Sequence, residues 1–248
     1  MGRLLLISLW AAAASANTVI FSNLPAVLPV NTPSYGYEAN GIDELGTRVV
    51  LGDGSRVLDS VTIYLSDWAH ATDPDSVGVG DAYGYYHPVT LNLYATDASG
   101  TVGSLITFRT VDAYIPWSNR SGGVLVPVTF RFAGERVQVP DSLILTVAFN
   151  TEFHGADPIG KPGPYNSLNV ATAATGGVAF PVTAGAYGDP DVGYVAERGG
   201  ALTSSSGWAP YQPMFEIVGT PEPGTWLLLS AGLAAVAAVK KTKNRTSR

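Results

Sequence analysis

Three histidines, His70, His87 and His154, stand far apart in the 248-residue chain and in unlike neighbourhoods. Imidazoles hold zinc when they recur at spacings such as His-x-x-x-His, and no such spacing occurs, so no zinc centre is expected. There is no cysteine, which removes thiolate chemistry and any disulfide framework. Serines are plentiful, yet none lies in a Gly-x-Ser-x-Gly elbow, and Gly78-Val79-Gly80 and Gly199-Gly200 open no helix that would cradle a phosphate. Carboxylates remain. The loop from Asp73-Pro74-Asp75 to Asp81 alternates acids with carbonyls in a way that suits calcium, without the full EF-hand pattern, and Asp189-Pro190-Asp191 invites the same idea. Solvated loop acids are the plainer reading of both. Glu38, Glu135, Glu152 and Glu216 are acids of the kind glycoside hydrolysis uses, which needs two carboxyl groups roughly 5–10 Å apart, and sequence pairs none of them. No catalytic, cofactor-binding or metal-binding residue is therefore assigned, and the expectation is a protein that is not an enzyme.

Aromatic side chains offer a different chemistry. Tyr83, Tyr85, Tyr86 and His87 crowd into what reads as one loop before a strand, and Trp68, Trp117, Trp208 and Tyr211 sit in other turns. Flat rings stack on sugar rings, but rings at strand ends also close the rim of a sandwich, so packing and carbohydrate binding both stay open, packing first.

The elements that would position these residues are strands. Val61, Ile63 and Leu65 alternate with polar neighbours, as do Val89, Leu91 and Leu93, and Leu143, Leu145, Val147 and Phe149: the period of two of a half-buried strand. Asp97 to Gly100 turns the second into a hairpin returning over Leu105 to Val111. Val124, Val126, Val128, Phe130 and Phe132 form the longest alternating face, and Pro127 within it places that strand at an edge or a bulge. Asn17 to Gly46 reads as an edge strand and loops, with a short strand at Arg48 to Leu51. Leu168 to Val170, Val178 to Val182, Tyr194 to Ala196 and Phe215 to Val218 are shorter candidates. No stretch between the termini carries a helical apolar period over a dozen residues. The expected class is all-β, a two-sheet sandwich of jelly-roll type, with an N-terminal signal helix and a C-terminal hydrophobic helix.

The two ends carry addresses. Arg3 precedes an apolar run from Leu4 to Ala14, and Ala14 and Ala16 are small residues at the two positions a signal peptidase reads, so cleavage is expected after Ala16. At the other end Pro221-Glu222-Pro223 separates a folded domain from the apolar run Trp226 to Val239, which five basic residues follow. Lys and Arg stay cytoplasmic, so the preceding domain faces the export side. Fourteen residues at ~1.5 Å each span roughly 21 Å, short of a ~30 Å hydrocarbon core, which fits a helix that holds the chain until processing better than a lasting anchor. The expected division is residues 1–16 as signal peptide, 17–219 as a β-sandwich ectodomain and 220–248 as sorting or anchor segment. The chain carries −6 overall. Arg3 and the tail hold six of the fourteen basic residues and Glu222 one of the twenty acidic ones, which leaves eight against nineteen, a net of −11, in the ectodomain. Such a field repels nucleic acid and anionic lipid.

Pro221, Glu222 and Pro223, the Trp226 to Val239 run and the basic tail together resemble the C-terminal sorting signal called PEP-CTERM, found on exported proteins of bacteria that make extracellular polysaccharide. The resemblance covers about the last tenth of the chain. It implies recognition by an exosortase, a membrane-embedded cysteine transpeptidase that cuts near the motif. A segment from His154-Gly155 through Gly160 and Pro164 to Val170 resembles uncharacterised secreted bacterial β-rich proteins, which implies export and no activity. Together these imply an exported protein of the cell envelope or surface, first held by residues 226–239, with signal peptidase and exosortase as partners during export. Its role would be structural or binding, in the envelope or the extracellular polysaccharide matrix; the alternative is a carbohydrate-binding module or a jelly-roll glycosidase or lyase.

Overall fold

The computed structural model describes residues 17–29, 33–97, 99–118, 123–151, 167–175, 178–179 and 181–220. The expected signal helix with Ala14 and Ala16, the tail helix, and Pro221, Glu222 and Pro223 lie outside the described residues. Among the described residues no helix is long and apolar enough to cross a membrane.

Among the described residues fifteen strands follow one another: β1 (Thr18–Ser22), β2 (Ser34–Gly36), β3 (Ile42–Val50), β4 (Val57–Asp67), β5 (Gly84–Thr96), β6 (Val102–Pro116), β7 (Val124–Arg131), β8 (Ser142–Ala148), β9 (Leu168–Ala171), β10 (Ala174–Thr175), β11 (Val178–Ala179), β12 (Ala186–Tyr187), β13 (Gly193–Glu197), β14 (Thr203–Ser205) and β15 (Phe215–Thr220). A short helix, α1 (Tyr37–Asn40), precedes β3. The first sheet is built on β4, with β7 along one side and, along the other, β15 followed by β9; β1 lies beyond β15 and β2 beyond β9. The second runs β14-β13-β3-β8-β5-β6, with β12 against the end of β3. All pairings are antiparallel.

Five of these pairings are nested. β5 pairs β6, β4 pairs β7, β3 pairs β8, β2 pairs β9 and β1 pairs β15, so these ten strands form one long antiparallel ribbon folded back at a single tip. Two cross-pairings, β15 with β4 and β8 with β5, roll that ribbon into two sheets. The tip is held locally: the Asp97 carboxylate accepts the amides of Ser99 and Thr101 at 2.9 and 3.0 Å, and Gly100 takes φ 82°.

The alternation read in the sequence becomes the core. Val61, Ile63 and Leu65 of one sheet, and Val89, Leu91, Leu93, Leu143, Leu145 and Val147 of the other, are fully buried between them. Phe21 stacks on Phe215 at 4.8 Å and Tyr37 on Phe149 at 4.1 Å, while the Tyr37 hydroxyl donates to the Val147 carbonyl at 2.6 Å. Thr47 also faces inward, and its hydroxyl is satisfied by Gln212 Oε1 at 2.8 Å. β7 is an edge strand, as Pro127 required. Residues 42–46, expected as loop, instead form the first half of β3. Asp43 and Glu44 break the apolar alternation there, but β8 and β13 pair with this stretch from both sides and make it a central strand.

Candidate functional site

The crowded aromatics do not form a loop. Tyr85, Tyr86 and His87 lie inside β5, so successive side chains point to opposite faces. Tyr85 and His87 turn inward and are buried, whereas Tyr86 turns outward and is 62 % exposed. Tyr83, just before the strand, is 78 % exposed. The structure adds a residue that sequence reading missed. Tyr114 of β6 stands opposite Tyr86 in the ladder, with ring centroids 5.1 Å apart at 61°. Its signal was the inward alternation of Ala113 and Ile115, which assigns Tyr114 to the outer face once the hairpin register is known.

Asp81 gathers this group. Its Oδ1 accepts the Tyr83 amide at 2.7 Å, the Gly84 amide at 3.0 Å and the Tyr114 hydroxyl at 3.1 Å. The Trp117 indole donates to its carbonyl at 2.8 Å. These donors, the Tyr83 amide first, hold the carboxyl below its ordinary range, so it is a carboxylate at neutral pH. The Tyr114 phenol is raised, by desolvation first and then by Asp81, Tyr86 and Tyr83. The Tyr114 hydroxyl thus meets one anionic group, with the Tyr86 ring against Tyr114 and the exposed Tyr83 next to it in the chain.

Beneath them lies a buried polar contact. Tyr85 donates to Asp67 Oδ1 at 2.9 Å, and Trp117 packs on Tyr85 at 5.0 Å. Burial pushes the Asp67 carboxyl up to about 7, against the lowering effect of Tyr85 and nearby amides.

Other candidates separate. Asp73 accepts the His70 amide at 2.7 Å, and the His70 ring meets the Ser118 carbonyl at 2.5 Å. Asp189 accepts the Asp191 amide at 3.0 Å. Among the described residues no three carboxylate or imidazole groups converge as they would around a cation. Glu38 lies on α1, Glu135 pairs with Arg109 and Glu216 lies on β15; Glu152 and His154 are outside the described residues. Trp68 donates to Ser34 at 3.3 Å, and Tyr211 packs on Tyr35 at 4.3 Å. On the outer face of the second sheet Glu44 Oε1 accepts Asn92 at 2.9 Å, Tyr94 at 3.1 Å and Thr146. A cleft of about 420 Å³ near the hairpin tip is lined by Arg48, Thr96, Asp97, Asp141 and Gly188.

The family model described as the PEP-CTERM protein-sorting motif matches residues 220–241. No curated protein and no solved structure matches the chain. The resemblance read in the tail is borne out, and the motif indicates a protein exported and sorted to the cell surface.

Proposed function

We propose that this chain is a non-catalytic binding or structural component of the cell envelope or the extracellular polysaccharide matrix, built on a jelly-roll sandwich. The nested order β5-β6, β4-β7, β3-β8, β2-β9, β1-β15 supports the jelly roll, because rolling a single long hairpin is how two Greek keys share one core. The observation that carries the reading is the position of the sorting motif: it begins at Thr220, the last residue of β15, so the address follows directly on the sandwich. Signal peptidase and exosortase are the partners this route calls for.

Acid–base chemistry finds little support in the carboxylates. Asp97 and Asp141 both line the cleft, yet both are exposed; the first is held low by Ser99 and Thr101 and the second pairs with Arg56 at 2.7 Å. Asp67 has the raised carboxyl a general acid would need, but it lies in the core under Tyr85.

Fractionation of a host that carries an exosortase tests the reading, with the mass of the mature protein as readout. The expected product is found outside the cytosol and lacks the residues after the motif. Glu222→Ala should leave the chain uncleaved and held in the membrane. Full-length protein confined to the cytosol, or an intact Arg248 terminus in all exported material, would overturn it.

A further inference from the structure

We propose that Tyr83, Tyr86, Tyr114 and Asp81 form a site for the ammonium group of an amino-sugar glycan; this rests on the reading of a matrix-binding surface domain and names its ligand. A cation is attracted to the face of an aromatic ring, and flanking rings with a carboxylate are the arrangement that recognises ammonium groups. Here the rings are Tyr83 and Tyr86, 78 % and 62 % exposed, with Tyr114 at 37 %, and the anion is Asp81, tied to Tyr114 at 3.1 Å and to the Tyr83 amide at 2.7 Å. The same rings offer flat faces for a pyranose, so one sugar residue would stack and place its amino group toward Asp81.

Charge selects the partner. Residues 17–219 carry −11, and the patch itself holds a carboxylate, so a uronic-acid or sulfated polymer is repelled while a polymer of free amino sugars is drawn in. Position agrees. β4 runs from Val57, which pairs with Thr220 beside the sorting motif, to Asp67, which meets Tyr85 beneath the patch. Eleven residues at ~3.3 Å separate the two by roughly 33 Å, so the patch is presented at the end away from the tail.

The test is retention of the full chain, in mild detergent at 150 mM salt, on beads of a β-1,4-glucosamine polymer, its N-acetylated form and a polyuronate. Binding to the glucosamine polymer alone is expected. Tyr83→Ala and Tyr86→Ala leave the charge unchanged, and each should weaken binding by about fivefold. The Tyr83 side chain is so exposed that its loss leaves the fold intact, which circular dichroism would verify. Asp81→Asn keeps the acceptor oxygen and should weaken binding by a similar factor, whereas Asp53→Asn, the same charge change at the other end, should alter it less than twofold. Wild-type affinity in the double tyrosine variant would mean that bulk charge alone holds the polymer and would sink the site. Equal retention on the N-acetylated form or the polyuronate would sink the ammonium selectivity. Retention on crude extracellular matrix but on none of the beads would reject this ligand while leaving the matrix role standing; no retention on either would reject both.

Discussion

Asp67 carries a carboxyl group whose chemistry the fold alters. Burial raises its carboxyl to about 7, against a value near ~3.9 in an unfolded chain. The folded state therefore holds the proton longer than the unfolded state. Below about pH 4 both forms are protonated and the group brings no pH-dependent penalty. As pH rises the unfolded chain releases its proton first, so stability falls by at most ~1.4 kcal/mol per unit until about pH 7, and then levels. Asp67→Asn keeps an acceptor for the Tyr85 hydroxyl and removes the titration. In urea unfolding at pH 4.5 and pH 8 the wild type should lose stability between the two relative to the variant, by about 1–3 kcal/mol. Comparing the two proteins cancels the opposite contribution of Asp81 and Asp97, whose lowered carboxyls favour folding as pH rises. Equal pH slopes in both proteins would refute the assignment. Leu65-Ser66-Asp67 reads in sequence as an ordinary strand end. Only the inward turn of Tyr85, fixed by the register of another sheet, shows that the carboxyl is buried.

Pro127 shows how far element-level reading reached. The Tyr64 amide donates to the Met214 carbonyl at 3.0 Å, away from β7, so the Tyr64 and Pro127 pair exchanges no ladder bond and the proline nitrogen faces outward from the edge. A missing donor there blunts an edge that would otherwise template pairing with a second chain. Pro127→Thr should leave stability within about 0.5 kcal/mol and increase concentration-dependent association in light scattering; a variant as monodisperse as the wild type would show that the edge is protected otherwise. Gly46 makes the complementary point in the other sheet. A methyl group there would meet the Leu145 carbonyl and come within 2.7 Å of Thr146 Cα, so Gly46→Ala should cost about 1–3 kcal/mol in the same unfolding assay. The long alternating strands and the proline edge were legible because one buried face imposes a period of two. The first half of β3 was not, because its partners, rather than its own pattern, make it a strand. The aromatic group near Asp81 was only half legible for the same reason: Tyr83 and Tyr86 are neighbours in sequence, but Tyr114 joins them through hairpin register alone.

At the scale of the molecule, the ribbon's nesting puts both ends of the sandwich together. Thr18 pairs with Gly219, so the residue two places after the expected signal cleavage and the strand that leads into the sorting motif share one ladder. The turn at Asp53 lies at this same end, since the Gly52 amide donates to the Ile20 carbonyl at 2.7 Å and the Ser55 carbonyl crowds Gly219. Asp67, which meets Tyr85 beneath the aromatic patch, lies roughly 33 Å from Val57 along β4. A chain held by its tail should therefore stand with the Asp53 end against the bilayer and the aromatic patch outward. The chain contains no cysteine, so single thiols report position without background. In Glu222→Ala chains retained in the membrane, the Tyr83→Cys thiol should react with a membrane-impermeant maleimide as fast as it does in detergent, because both positions are exposed in the fold and only the bilayer distinguishes them. The Asp53→Cys thiol should react about tenfold more slowly in membranes than in detergent, an order-of-magnitude expectation for a group pressed into the headgroup layer by a short linker. Equal rates at both positions would mean that the tail holds the sandwich too loosely to orient it, and the reverse ranking would place the patch against the membrane, where no matrix polymer could reach it.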